Sequence, residues 1–235
     1  CLECTSERHP NVACRSPFSQ TCMKLPSKTK ERKLFQEGYS HVVGIDEVGM
    51  GCLAGPVVVC AAVFGKDFFN TNHRALHGLR DSKLLAPHQR KVFSSALKQE
   101  NIRFKVAYCS SRTIDRINIY QASRQAMRQV IRKLKIESKK KKVVVLVDGN
   151  KKIKDIPFAQ EAIIKGDRKV FAIACASIIA KVFRDEMMGR YAKKFPGYGF
   201  EKHKGYGTKL HHARLIALGP SPIHRRSFSW AGKLL

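Results

Sequence analysis

Four acidic residues, Asp46, Glu47, Asp148 and Asp185, stand at the ends of apolar segments in a chain whose 45 Lys and Arg far outnumber its 18 Asp and Glu. Carboxylates are the ligands that hard divalent cations prefer, and several kept in such positions against a basic background point to a metal site rather than a solubilising surface. Taken singly, two of them have a plainer reading. Asp148 precedes Gly149, and Asp-Gly is a common turn dipeptide. Asp185 adjoins Arg184 and follows Lys181 by one helical turn, so an ordinary ion pair would account for it. The set carries the metal reading.

The elements that must position these acids are legible in outline. Residues 44–64 form two β-rich runs about a glycine-studded turn, the pattern of a hairpin. Alternation along a strand sends Asp46 and Glu47 to opposite faces unless the strand ends or bulges there, so Glu47 is expected to contribute partly through its main-chain carbonyl. Asp148 closes Lys142-Val-Val-Val-Leu-Val-Asp148, which reads as a central strand with its acid at the carboxyl end, where α/β sheets place their ligands. Residues 170–185 are Ala-rich and lack Gly and Pro, as a helix packed on a sheet should be. Within them Ile178, Val182 and Asp185 are spaced i, i+4, i+7, which predicts that Asp185 faces the sheet, where an unpaired carboxylate is costly and a cation would stabilise it.

Elsewhere the pattern predicts strands near 41–47, 55–64, 103–109 and 143–148, and helices near 86–99, 112–135, 171–194 and 209–218. Antiparallel strands followed by a strand reached through a helical crossover imply an α/β fold with a mixed sheet flanked by helices.

The chain resembles the type 2 ribonucleases H (ribonuclease HII) from about Tyr39 to Phe228. The resemblance rests on Gly44-Ile-Asp-Glu-Val-Gly49, Leu53-Ala-Gly-Pro56, Asp81-Ser-Lys83, Ile117-Asn-Ile119, Val147-Asp-Gly149, Lys165-Gly-Asp167, Ala176-Ser-Ile-Ile-Ala-Lys181, Arg184-Asp185, His203-Lys-Gly-Tyr-Gly-Thr208 and the run from Gly219 to Phe228, in that order. It implies a ribonuclease H-like mixed sheet flanked by helices, with a small C-terminal helical cap. It also implies an endonuclease that cuts the RNA strand of RNA/DNA hybrid duplexes and cuts 5′ to ribonucleotides embedded in DNA, leaving 5′-phosphate and 3′-hydroxyl ends. Asp46, Glu47, Asp148 and Asp185 match the family's four metal-binding acids, with two Mg²⁺ or Mn²⁺ ions expected and Asp46 bridging them. In the family a Gly-Arg-Gly turn reaches the 2′-hydroxyl, largely through its backbone; here the turn is Gly49-Met50-Gly51, which puts tight recognition of a single ribonucleotide in doubt. Tyr206 matches a tyrosine that stacks near the following sugar. Lys83, Lys165, Lys181, Arg225 and Arg226 fall within matching motifs and are candidates for phosphate contact. Asp81 and Asp167 are read as ion-pair or turn residues and His203 as a structural hydrogen-bonding residue; His203, His211, His212 and His224 show no zinc spacing. Two alternatives stand beside this reading: a ribonuclease HIII-like nuclease confined to hybrids, and a non-catalytic basic nucleic-acid-binding module.

A formal charge of +27 gives a field that speeds encounter with nucleic acid and makes binding salt-dependent. The runs Lys139–Lys142 and Lys151-Lys152 flank the Asp148 strand and are expected near a bound duplex, a solvated loop being the plainer alternative. No apolar stretch is long and charge-free enough to span a membrane. Cys52, Cys60, Cys109 and Cys175 are expected as small buried thiols of a reducing cytosol. Residues 1–22, which hold Cys1, Cys4, Cys14 and Cys22, are read as a non-native or disordered extension with Met23 as initiator. Residues 23–40 are read as a basic lead-in, and 41–235 as the catalytic domain with its cap from about 195. The expected state is a cytoplasmic monomer.

Overall fold

The structure is a computed structural model that describes residues 25–136 and 142–228. At its centre β1 (His41–Val48) pairs antiparallel with β2 (Val57–Gly65), setting Asp46 opposite Cys60. The strand β3 (Arg103–Cys109) extends this meander beyond β2, after which α4 (Ser111–Leu134) crosses over to β4 (Val143–Asp148). β4 lies parallel to β1 and β5 (Ala159–Ile163) parallel to β4, giving the order β3-β2-β1-β4-β5. β1 is therefore interior, with Asp46 and Glu47 near its carboxyl end and Asp148 at that of its parallel neighbour.

Both faces of the sheet are covered, which is why its central strands are apolar runs rather than alternating ones. On one face, Val42, Cys60, Phe64 and Leu146 pack against α6 (Phe171–Lys194), α3 (Pro87–Gln99) and α1 (Thr29–Gln36). On the other, Val43, Ile45, Val59 and Val145 pack against Ala122, Ala126 and Val130 of α4. By the same alternation Asp46 shares the α6 side with Val42, and Glu47 the α4 side with Ile45.

The closest approach is at Gly44, where a Cβ would be driven into the backbone of Ala172. Neither backbone can yield without moving α6 off the sheet. Gly44→Ala is therefore expected to fall at the upper end of the overpacking range, about 3 kcal/mol, and to lower Tm by about 6–12 °C. A thermal scan showing a shift below about 2 °C would contradict this packing.

The elements not anticipated have physical reasons for being faint. β5 is a short edge strand of mixed polarity, Ala-Gln-Glu-Ala-Ile, and none of it is fully buried. The helices α2 (Lys66–Asn70), α5 (Gly166–Lys169) and α7 (Phe200–His203) are too short to display a helical period. α1 lies in the stretch read as a lead-in, yet the boundary drawn after residue 40 has no counterpart. Leu34 and Phe35 enter the core, Ser27 bridges to Val170, and the buried Glu31 carboxylate accepts from the Ala172 N–H at 2.8 Å, capping α6. The C-terminal part, with α7 and α8 (Lys209–Leu218), packs Tyr198, Phe200 and Ile223 on Ala54 and Met188.

Cys52, Cys60, Cys109 and Cys175 are all buried free thiols. No helix among the described residues is long and apolar enough to cross a membrane. The readings of residues 1–22, Met23 and Lys139–Lys141 lie outside the described residues.

Candidate metal centre and nucleic-acid cleft

The loop from β1 to β2 is held by two arginines that are entirely buried. Arg184 of α6 donates from Nε to the Pro56 carbonyl at 3.0 Å, from Nη1 to Lys204 at 2.9 Å and from Nη2 to Ala54 at 3.1 Å. Arg225 donates to the carbonyls of Gly55 at 3.0 Å, Met50 at 2.8 Å and Gly49 at 2.6 Å. Gly49 has φ +97°, and a Cβ there would collide with the Arg184 guanidinium, so the turn needs glycine for its conformation and for the space. Arg225 thus corrects an expectation: every nitrogen of its guanidinium is bound to loop carbonyls, and it is out of reach of a phosphate. Burial pushes its pKa down to about 10.

Beneath this loop three carboxylates converge. Asp46, Asp148 and Asp167 each offer an oxygen within 4.8 Å of the others. Asp46 is 5 % exposed, and its Oδ1 accepts from the Glu47 N–H at 2.8 Å. Asp148 Oδ1 accepts from the Gly166 N–H at 2.6 Å, which draws α5 and its Asp167 in against the end of β4. Glu47 adds a fourth acid from the α4 side, and its Oε2 is buried with no hydrogen-bond partner. Burial raises the Asp46 pKa well above the usual carboxylate range, and Glu47 and Asp148 push it the same way. Burial and then Asp148 raise Glu47 to about 7; burial, Asp148 and Asp81 raise Asp167. Four acids that repel one another, one with an orphaned oxygen, make a donor set that a divalent cation would complete.

Asp185 does not join this set, contrary to the expectation. Its Oδ1 accepts from Lys181 Nζ at 2.7 Å and its Oδ2 from Arg90 Nη2 at 3.5 Å, so its charge is already paired. The spacing argument fails because the fully buried, sheet-facing part of α6 ends at Ala180; from Lys181 the same stripe opens toward α3. Asp167 follows Lys165 within its motif and so reads as an ion-pair or turn residue, and it does face Lys83 at 3.6 Å. Its place just after β5 would have marked it by the rule that marked Asp148, but that mixed-polarity edge strand is not visible in the hydrophobic pattern. The other acid of that reading, Asp81, is indeed in an ion pair, accepting from Arg168 Nε at 2.9 Å and capping the turn at Ser82–Leu84.

A cleft of about 270 Å³ opens over Asp46, Glu47 and Asp148, and Gly49, Met50, Gly51, Lys83, Lys181 and Tyr206 line it. Six of the nine substrate candidates are thus brought together at the acids. Lys83 Nζ stands 3.6 Å from Asp167. The Tyr206 ring lies against Lys181 Nζ at 5.4 Å and the Arg184 guanidinium at 5.7 Å, and burial pushes its hydroxyl up to about 12. The Met50 side chain leans on the α4-side core while its carbonyl is tied to Arg225. Lys165, at a left-handed turn, and Arg226 are exposed and do not line this cleft. A second cleft of about 500 Å³ shares Lys181 and Tyr206 and carries Arg90, Lys91, Lys202 and Lys204.

In the cap, His211 Nδ1 donates to the Tyr206 carbonyl at 2.9 Å and its Nε2 faces His224 Nε2 at 3.0 Å. His203 stacks on His211 and donates to the Tyr198 carbonyl at 2.8 Å, the structural bond expected of it. Burial lowers His211 and His224 to about 4, which keeps both rings neutral near pH 7.

The raised acids fix a pH dependence. Glu47 goes from an ordinary 4.5 to about 7 on folding, so the metal-free native state binds a proton there that the unfolded chain has lost. Its stabilising effect is complete below about pH 4.5 and disappears as pH rises through 7, on the order of 3 kcal/mol. Glu31 shares that window. A cation bound at Glu47 would offset only the Glu47 part, so the Tm increment from added Mg²⁺ or Mn²⁺ is expected to grow from pH 5 to pH 8. An increment that is flat or falls over that range would contradict the assignment.

The family model described as Ribonuclease HII matches residues 43–231. The ribonuclease HII of Caldicellulosiruptor bescii is 48% identical over 198 residues, spanning 84% of this chain and 91% of that protein. The ribonuclease HII of Acholeplasma laidlawii is 41% identical over 213 residues, 91% of this chain and 99% of its own length. Among solved structures, the ribonuclease H2 of Pyrococcus horikoshii superposes with a TM-score of 0.67 at 26% identity, covering 83% of this chain and 96% of that one. The ribonuclease HII of Archaeoglobus fulgidus, solved in complex with PCNA, gives 0.61 at 27% identity over 79% and 92%.

Proposed function

The chain belongs to the ribonuclease HII family and is an endonuclease of the ribonuclease H class, and from that premise we propose that Asp46, Glu47, Asp148 and Asp167 hold the divalent cations with which it hydrolyses the RNA strand of RNA/DNA hybrids and cuts 5′ to ribonucleotides embedded in DNA. The observation that carries this is the convergence of Asp46, Asp148 and Asp167, with the unpartnered buried oxygen of Glu47 beside Asp46 and Asp148 in a cleft lined by the glycine turn and Tyr206. When bound, a pair of Mg²⁺ or Mn²⁺ ions supplies an activated water and stabilises the departing 3′-oxygen, leaving 5′-phosphate and 3′-hydroxyl ends. Asp46, which feels the charges of both Glu47 and Asp148, would hold the cations together with them. Lys83 lies within reach of a phosphate held over Asp167. The Gly49–Gly51 backbone, fixed by Arg225, faces the ribose, and Tyr206 offers its ring to the neighbouring sugar. The reading extends to a monomeric, cytoplasmic enzyme; the buried free thiols suit the reducing compartment in that reading.

Incubation with a full RNA/DNA hybrid and with DNA containing one ribonucleotide, in Mg²⁺ and in Mn²⁺, tests this beside an Asp148→Asn control. Metal-dependent cutting that the control lacks is expected. Cutting of neither duplex would overturn the reading.

Met50 favours a narrower activity in which long hybrids are cut well and single ribonucleotides poorly, because methionine lacks the donors that arginine would offer. Met50→Arg is expected to raise cleavage at a single ribonucleotide about tenfold relative to the hybrid, the worth of one charged hydrogen bond. An unchanged ratio of the two kcat/KM values would show that the backbone alone reads the 2′-hydroxyl.

A further inference from the structure

Beside the catalytic cleft, on the α4 side of the sheet, Tyr120, Arg124 and Lys151 form a preorganised cationic group. The Arg124 guanidinium lies 5.3 Å from the centroid of the half-exposed Tyr120 ring, and Lys151 Nζ lies 5.1 Å from it. Arg124 is not a loose surface side chain. Its Nη1 donates to the carbonyls of Lys151 at 3.0 Å and Lys152 at 3.4 Å, and its Nη2 donates to the Tyr120 hydroxyl at 3.2 Å. Its Nε–H and a remaining Nη2–H have no protein acceptor among the described residues, and neither Arg124 nor Lys151 forms an ion pair there.

The group's place follows from the chain. Lys151 is three residues past Asp148, so its Cα is at most about 11 Å from that of the metal-centre acid. Arg124 is near enough to Glu47 to pull its pKa downward. The α4 chain breaks its helical path at Asn118 (φ 61°, ψ 163°), whose Oδ1 accepts from the Gln121 N–H at 3.0 Å and starts the second helical stretch, so that Tyr120 and Arg124 project together. Two cations without an ion-pair partner among the described residues, held against an aromatic ring with one locked by backbone carbonyls, suit a phosphodiester better than a solvated loop, which would leave both side chains free.

We propose that Tyr120, Arg124 and Lys151 form a phosphate subsite that grips the nucleic-acid backbone where the duplex leaves the catalytic cleft on its Glu47 side. The subsite deepens the functional reading above and rests on it, since it takes the same duplex. It anchors the substrate without touching the reacting phosphate, so it sets affinity and register while leaving the chemical step to the acids.

The test is equilibrium binding of a fluorescent RNA/DNA hybrid to the full chain with metal chelated, across a range of NaCl, for the unsubstituted protein, Lys151→Gln, Tyr120→Ala and Lys98→Gln. Lys98 is an exposed lysine of α3 on the opposite face of the sheet. Loss of one phosphate contact lowers the slope of log K against log salt by about 0.9. Lys151→Gln is expected to show that drop and a several-fold weaker Kd, Tyr120→Ala a weaker Kd, and Lys98→Gln neither. Equal slopes for Lys151→Gln and Lys98→Gln would overturn the subsite and leave only the diffuse positive field. Metal-restored cleavage by the unsubstituted protein, read in the same preparations, answers to the functional reading alone, so the two failures are told apart.

Discussion

Asp167→Asn should abolish hybrid cleavage, as Asp148→Asn should, whereas Asp185→Asn should retain activity within about tenfold of the unsubstituted protein. A ligand that holds a catalytic cation contributes several kcal/mol of charge stabilisation, or about 10²–10⁴ in rate. Asp167 sits with Asp46 and Asp148, whose charges repel it, and Lys83 at 3.6 Å and Arg168 only partly offset that repulsion. Asp185 is already neutralised by Lys181 and Arg90. Its amide analogue would leave those two cations unpaired at the edge of the cleft, where solvent and substrate phosphates can answer them. Single-turnover rates at saturating metal separate the cases. An inactive Asp185→Asn beside an active Asp167→Asn would restore the arrangement expected from the sequence and refute the one described here.

The second large effect is structural. Arg225→Met should lower stability by about 3–5 kcal/mol and Tm by roughly 10 °C or more, because methionine fills the volume but orphans the buried carbonyls of Gly49, Met50 and Gly55. Replacing a buried charge can be neutral when its partners are replaced too; here the partners are backbone and remain. The loop so released carries the glycine turn that faces the ribose, so cleavage should fall as well. Arg226→Met is the control, since Arg226 is exposed and should shift Tm by less than about 2 °C. Similar small shifts for both neighbours would contradict the clamp.

The contrast between these two arginines shows where the sequence was readable. Position in a motif marked both equally; only the fold reveals that one turns inward onto three carbonyls and the other into solvent. The sheet was legible because β1, β2 and β4 are apolar runs and because the long helices α3, α4 and α6 keep a clear pattern, so their ends fall within one or two residues of expectation. β5 and α5 were not, since one is a mixed-polarity edge strand and the other a single turn. That omission separates the acids expected from the sequence from those the fold brings together. Without β5 and α5 nothing placed Asp167 beside Asp148, while the stripe of α6 pointed to Asp185 under the assumption that the helix stays on the sheet to its end. Asp46, Glu47 and Asp148 could be placed near one another because strand ends are recognisable from hydrophobicity alone.

Soaking crystals with Mn²⁺ and locating the ion by its anomalous scattering tests the central claim most directly. The account predicts density among the carboxylates of Asp46, Asp148 and Asp167, with Glu47 at its edge and Asp185 still bound to Lys181. Manganese coordinated by Asp185, or none at the three-acid cluster at saturating concentration, would contradict it.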